Sequence, residues 1–131
     1  MNGEFTDLKS VLAAIQNITG YLGIDLETVD QRSIFGDTPL GVAVVWNDIE
    51  AAKILLDNGA DVNARQEDNA TPLHEAARFA DARMAELLIE RGADPTLRDD
   101  MFDETPLERA RSHNNRGVVE VLEKHGTKNS G

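Results

Sequence analysis

Thr38-Pro39-Leu40, Thr71-Pro72-Leu73 and Thr105-Pro106-Leu107 recur at spacings of 33 and 34 residues. Self-similarity at such a period is the mark of a chain built by stacking like units. A second string recurs between the first: Ile54-Leu55-Leu56-Asp57-Asn58-Gly59-Ala60-Asp61-Val62-Asn63, then Leu87-Leu88-Ile89-Glu90-Arg91-Gly92-Ala93-Asp94-Pro95-Thr96, then a worn copy, Val121-Leu122-Glu123-Lys124-His125-Gly126. Each threonine suits the cap of a helix, and each proline falls at the first helical position, where its missing N–H costs nothing. The first helix of a unit is short, from Thr71 to about Phe79 in the clearest copy. Met84, Leu87 and Leu88 show helical spacing in a second helix. Gly59, Gly92 and Gly126 stand where a helix ends in a left-handed residue. The extended polar stretch after each glycine suits a hairpin-like finger. A single unit of this kind cannot bury its apolar faces, so three or more must stack.

Thr71-Pro72-Leu73-His74-Glu75-Ala76-Ala77 together with Gly92-Ala93-Asp94 closely resembles the ankyrin-repeat pattern, which is highly specific, and the resemblance extends over about residues 28 to 126. It implies an all-α solenoid, an L-shaped stack of helix pairs with fingers projecting to one side, and a protein-binding role. The expected organisation is one domain over residues 1–126. It comprises a degenerate N-terminal cap (5–37), repeats at 38–70 and 71–104, a C-terminal capping repeat (105–126) and a flexible tail (127–131).

Four departures from the pattern carry consequences. Gly41 and Glu108 replace the histidine of the first helix, and with it the inter-repeat hydrogen bond of that side chain. Asn69 and Asp103 replace the turn glycine; both tolerate the left-handed region better than most residues. Arg98-Asp99-Asp100-Met101-Phe102-Asp103-Glu104 holds one extra residue, which predicts a reshaped finger. Arg111 and Glu123 stand at packing positions of the last unit. With Arg116, Glu120 and Lys124 they give it the water-facing side that a terminal repeat requires. At the other end, Leu8, Val11, Leu12 and Ile15 form an apolar helical stripe after the cap candidates Thr6 and Asp7. Thr28 to Asp37 aligns with a finger. Ile18, Leu22 and Ile24 are candidates for a second helix of the cap, weakened by Gly20 and Gly23.

The chain has 131 residues, 40% hydrophobic and 28% charged, a composition that fits one globular domain and argues against disorder. No cysteine is present, which excludes disulfides, thiol nucleophiles and cysteine zinc sites, and a reducing cytoplasm is the expected compartment. No apolar run approaches the length of a membrane span. The first seven residues lack a basic and then apolar leader pattern. With 24 acidic and 13 basic residues the formal charge is −11. Such a surface repels nucleic acid and anionic membranes and speeds capture of a basic protein. The plainer reading of the acidity is solubility.

Catalytic and metal chemistry finds little footing. His74, His113 and His125 fall in three different units. His74 takes the family's structural position, and His125, before Gly126, suits the negative end of a helix. No nucleophile–base constellation or phosphate loop is recognisable. Asp61, Asp94, Asp99, Asp100 and Asp103 lack the spacing and terminal glutamate of a calcium loop. The expectation is a non-enzymatic module without cofactor or metal.

Aromatic placement points to a surface instead. There are six aromatics: Phe5, Tyr21, Phe35, Trp46, Phe79 and Phe102. Trp46 and Phe79 each lie eight residues after their threonine and 33 apart, which predicts a row in adjacent repeats on the recessed face, continued by His113. Phe35 and Phe102 lie three residues before theirs, on fingers. Around them stand Asp37, Glu67, Asp68, Asp100, Asp103 and Glu104. An apolar centre with an acidic rim suits a basic protein partner. The candidate partner-binding residues are therefore Phe35, Asp37, Trp46, Glu67, Asp68, Phe79, Asp100, Phe102, Glu104 and His113. The competing reading is that Trp46 and Phe79 merely cover the loop between helices. Size and acidity favour a neutralising binder, of the immunity or antitoxin kind, over a scaffold or regulatory adaptor. Two polar ends favour a monomer.

Overall fold

The computed structural model describes residues 7–17, 21, 26 and 28–125. Among them seven α-helices follow one another and no strand forms: α1 (Leu8–Gln16), α2 (Pro39–Val45), α3 (Ile49–Asp57), α4 (Pro72–Phe79), α5 (Ala82–Glu90), α6 (Pro106–Ser112) and α7 (Arg116–Lys124). Helices α2, α4 and α6 lie side by side in one layer; α3, α5 and α7 form a second, and α1 packs on α2 and α3. Thr6, the proposed second helix of the cap at Ile18, Leu22 and Ile24 with Gly20 and Gly23, Gly126, and the tail 127–131 lie outside the described residues.

Local chemistry starts and stops these helices as the repeat predicts. The hydroxyls of Thr38, Thr71 and Thr105 accept from the N–H groups of Gly41, His74 and Glu108 at 3.2, 3.3 and 3.2 Å. Asp48, Asp81 and Asn115 cap the second helices in the same way through Ala51, Met84 and Val118. Gly59 and Gly92 end α3 and α5 at φ of 96° and 97°, where a side chain would be strained. Asn69 and Asp103 take the left-handed region at 58° and 52°. The leucines of the two recurring strings, Leu40, Leu73, Leu107, Leu55, Leu88 and Leu122, are all buried in one continuous core. On the last unit Arg111, Arg116, Glu120, Glu123 and Lys124 are exposed. At the first, Asp7 caps α1, and Val11, Leu12 and Ile15 are buried. The buried Tyr21 hydroxyl lies 2.7 and 2.8 Å from the carbonyls of Asp37 and Gln31, tying the N-terminal segment to the first finger.

The fingers are closed turns. The N–H groups of Ser33, Gln66 and Asp99 donate to the carbonyls of Asp37, Ala70 and Glu104 at 2.8, 2.6 and 3.1 Å. The last closure spans one residue more than the others, which is where the insertion goes. A row of arginines at a 33-residue period, absent from the expectations above, links the fingers. Arg32 donates to the carbonyls of Gly36 and Arg65. Arg65 donates to those of Asn69 and Arg98 at 2.6 and 2.7 Å, and Arg98 ends the row on Asp103 and Glu108. The guanidiniums of Arg32 and Arg65 each close their own finger and grip the next, and that of Arg98 closes the third finger alone. Behind the third finger, buried Arg109 donates to Asp99 at 2.6 Å and to Glu104 at 2.8 Å. Burial alone would raise the Asp99 pKa; the N–H groups of Glu104 and Phe102 and the Arg109 charge outweigh it and hold the carboxyl below its ordinary range.

Each cap threonine also carries its own N–H, and three different side chains satisfy it. In the second full unit His74 Nδ1 accepts from Thr71 at 3.0 Å, while its Nε2 donates to the Glu104 carbonyl at 2.7 Å. This fixes a neutral tautomer, and burial lowers the histidine pKa below its ordinary 6.5. In the last unit Glu108 accepts from Thr105 at 2.9 Å. In the first, Gly41 offers nothing, and Gln66 reaches back from the following finger. Its Oε1 accepts from the Thr38 N–H at 2.8 Å, and its Nε2 donates to the Thr38 hydroxyl and the Ala64 carbonyl, both at 3.0 Å. The inter-repeat link is thus kept at Gly41 with its direction reversed.

Gly41 and Gln66 form one device. A Cβ at position 41 would lie 2.8 Å from Gln66 Cδ and closer still to its Oε1. Gly41→Ala is expected to cost about 1–3 kcal/mol by overpacking, and Gln66→Ala a similar amount by leaving a buried N–H unsatisfied. Both changes destroy the same arrangement, so the double variant should cost clearly less than the sum. Denaturant unfolding of the four proteins checks this, and additive costs would separate the two residues.

Candidate partner-binding groove

Two adjacent units and their fingers enclose a groove of about 590 Å³. One wall is α2, through Val42, Val45 and Trp46; the other is α4, through Glu75, Arg78 and Phe79. Phe35 and Asp37 from the first finger and Glu67 and Asp68 from the second close the ends, with Gly41 and Gln66 among the lining residues. The volume is in the range of sites that hold a ligand or a few inserted side chains.

Position follows from the repeat. Trp46 caps the C-terminus of α2 and Phe79 ends α4, so stacking the units aligns them. Phe35 is set by Ser33, whose hydroxyl accepts from the N–H groups of Phe35 and Asp37 at 3.1 and 3.2 Å. The rings are open to water: Trp46 is 38%, Phe79 45% and Phe35 53% exposed.

The groove carries excess negative charge. Among the described lining residues, Asp37, Glu67, Asp68 and Glu75 stand against one cation, Arg78, whose guanidinium lies 4.8 Å from the Phe79 ring centroid. Burial raises the pKa of Glu75, with Asp37 adding to the effect and Arg109 and Arg78 opposing it. Burial likewise raises Asp37, with Glu67 adding and Arg32 opposing. Among the described residues neither carboxylate accepts a hydrogen bond or pairs with a cation. A carboxyl whose pKa is higher folded than unfolded weakens the fold once ionised. Glu75→Gln should therefore raise stability at neutral pH, by up to about 1 kcal/mol. The gain should vanish below the ordinary value of 4.5, where Glu75 is protonated folded and unfolded alike. Thermal melts of the two proteins at pH 7 and pH 3.5 test it, and a lower melting temperature for the variant at pH 7 would contradict it.

Of the sequence candidates, the groove brings together Phe35, Asp37, Trp46, Glu67, Asp68 and Phe79. The other four lie apart from it. Asp100 belongs to the finger packing: its N–H donates to the Asp68 carbonyl at 2.7 Å and its carboxylate accepts from Asn69 at 2.7 Å. Glu104 is committed to Arg109 and, through its carbonyl, to His74. Phe102 is exposed on the third finger with the Arg109 guanidinium 5.3 Å from its ring centroid. His113 is exposed at the end of α6, outside the groove lining. Val42, Val45, Glu75 and Arg78 were not singled out by the sequence. The signal was present: Val42 and Val45 precede Trp46 by four residues and one, and Glu75 and Arg78 precede Phe79 by the same steps, so each trio shares a helix face.

Among the described residues no set of three histidines or acids gathers as a metal site, and no helix is long and apolar enough to cross a membrane. No curated protein matches the chain. The family model for ankyrin repeats matches residues 10–99 with three copies. That span begins at Ser10 within α1, runs through α2 to α5 as far as Asp99, and stops short of α6 and α7. With the match covering more than half of the sequence and the helix pairs stacked as described, the chain belongs to the ankyrin-repeat family and is a protein–protein interaction module.

Proposed function

We propose that the chain captures a basic protein in the groove between its two central repeats and neutralises it by covering the captured surface. The observation that carries this reading is the groove itself: three exposed aromatic rings beside four carboxylates, drawn from two adjacent units. Aromatic anchors surrounded by a polar rim are the make-up of binding hot spots. The chain-wide charge of −11 supports a basic partner, because a field of one sign speeds encounter with the opposite one.

The test is capture from the native host with the intact chain, followed by assay of the captured protein with the chain added back. Loss of the partner's activity at one-to-one stoichiometry supports neutralisation; a partner that stays fully active when saturated would make the chain an adaptor. The same pair gives a kinetic expectation. Association should slow steeply with added salt while dissociation changes less. An association rate flat across the salt range would reduce the acidity to a solubility device.

A further inference from the structure

Resting on the reading of the groove as a protein-binding site, we propose that its occupant is a single arginine side chain of the basic partner, stacked on Trp46 with its guanidinium held by Asp37 and Glu75. Three observations converge on this occupant. The carboxylates of Asp37 and Glu75 are half-buried and, among the described residues, take no hydrogen bond or ion pair, so only solvent and the more distant charges of Arg32, Arg78 and Arg109 meet them. The aromatic faces are unequal: Phe79 already carries the guanidinium of Arg78, whereas among the described residues no cation lies over Trp46. Trp46 is also the better of the two rings for a cation. Finally, the groove is a blend of apolar wall and anionic lining, which matches a side chain with an aliphatic stem and a charged head.

Arginine fits better than lysine. Its planar guanidinium stacks on an indole and presents donors in a fork that two carboxylates can share, and it sheds water more readily than an ammonium. Burial raises the pKa of both carboxylates, which is what an unsatisfied anion in a half-closed site shows. An incoming guanidinium would reverse that effect. The fold keeps two carboxylates that weaken it, a cost that a cationic occupant would offset.

Trp46 is the sole tryptophan, so its fluorescence reads the groove directly. The experiment titrates the full chain with a capped glycine pentapeptide bearing one central arginine, and with its citrulline and lysine counterparts. Citrulline keeps the shape and removes the charge. The expected result is a saturable change in Trp46 emission, with the arginine peptide about tenfold tighter than the citrulline peptide and tighter than the lysine peptide. Asp37→Asn and Glu75→Gln should each weaken the arginine peptide several-fold and the citrulline peptide by much less, narrowing the gap between the two, in proteins whose melts show them folded. Equal binding of arginine and citrulline, preference for lysine, or no response to any of the three would overturn the arginine site. None of these outcomes touches the broader reading of the groove, which fails separately if a captured partner keeps full affinity for chains lacking the groove's rings.

Discussion

Leu88→Ala is expected to lower the unfolding free energy by about 2–5 kcal/mol, the usual cost of emptying a fully packed leucine site. Leu88 has no exposed surface, and α5 is held on three sides by α3, α4 and α7. The cavity would therefore open onto both neighbouring units, and collapse to fill it would have to move helices from each. A total stability of about 5–15 kcal/mol is typical of a domain this size, so the loss would be a large share of it. In a stack where each unit touches only its neighbours, position matters as well as burial. Leu122 is equally buried on α7, but its helix lies in the last described unit. Leu122→Ala should cost less, because that unit can loosen while the rest holds. Denaturant unfolding of both variants decides it: midpoints unchanged from the parent, or Leu122 proving the costlier site, would contradict this account of the core.

Trp46→Ala is expected to weaken partner binding by about 2 kcal/mol or more, the scale of a hot-spot truncation, which is over about tenfold in affinity. Phe79→Ala should act in the same direction, with a smaller effect where Arg78 already covers its ring. Both side chains are more than a third exposed, so their removal empties little of the core and the melting temperature should fall only slightly. Affinity and melt must be measured side by side. Lost affinity on a nearly unchanged melt supports the anchors. A large drop in melt with affinity intact in the folded fraction would make the rings packing residues, and would move the binding surface to the exposed apolar finger tips around Ile34, Phe35, Met101 and Phe102.

The repeat made the helices and the core legible from sequence, because capping threonine, helix-starting proline and helix-ending glycine each act locally and recur in register. Half of the groove was legible for a related reason: two aromatics at one position of successive units must come together when the units stack. What escaped notice depends on long-range pairing. Glu104 reads as a free rim acid until Arg109 is seen beside it, and Asp100 until the neighbouring finger meets it. Nothing local marks Gln66 as the residue that answers Gly41, since they lie 25 positions apart and meet through two units. The arginine row at positions 32, 65 and 98 was available at the same period as the threonines, but an isolated arginine in a polar stretch reads as a solvated charge.

The Gly41–Gln66 device bears on how such a protein can be lengthened or rebuilt. Tandem stacks are ordinarily thought of as interchangeable bricks that can be copied, deleted or shuffled. Here, if each brick is taken to open with its finger, the brick holding α2 and α3 lacks a side chain that the brick holding α4 and α5 supplies from its leading finger, so the joint works in one order only. Inserting a standard histidine-bearing unit between them would leave Thr38 facing a finger without its glutamine, and would seat Gln66 over a histidine with no room for it. Any new unit at this joint must carry its own matching pair. The seam is keyed, whereas at the next one His74 donates to a backbone carbonyl, a group that every finger can offer. Attempts to graft or expand the stack are therefore best made on the far side of α4.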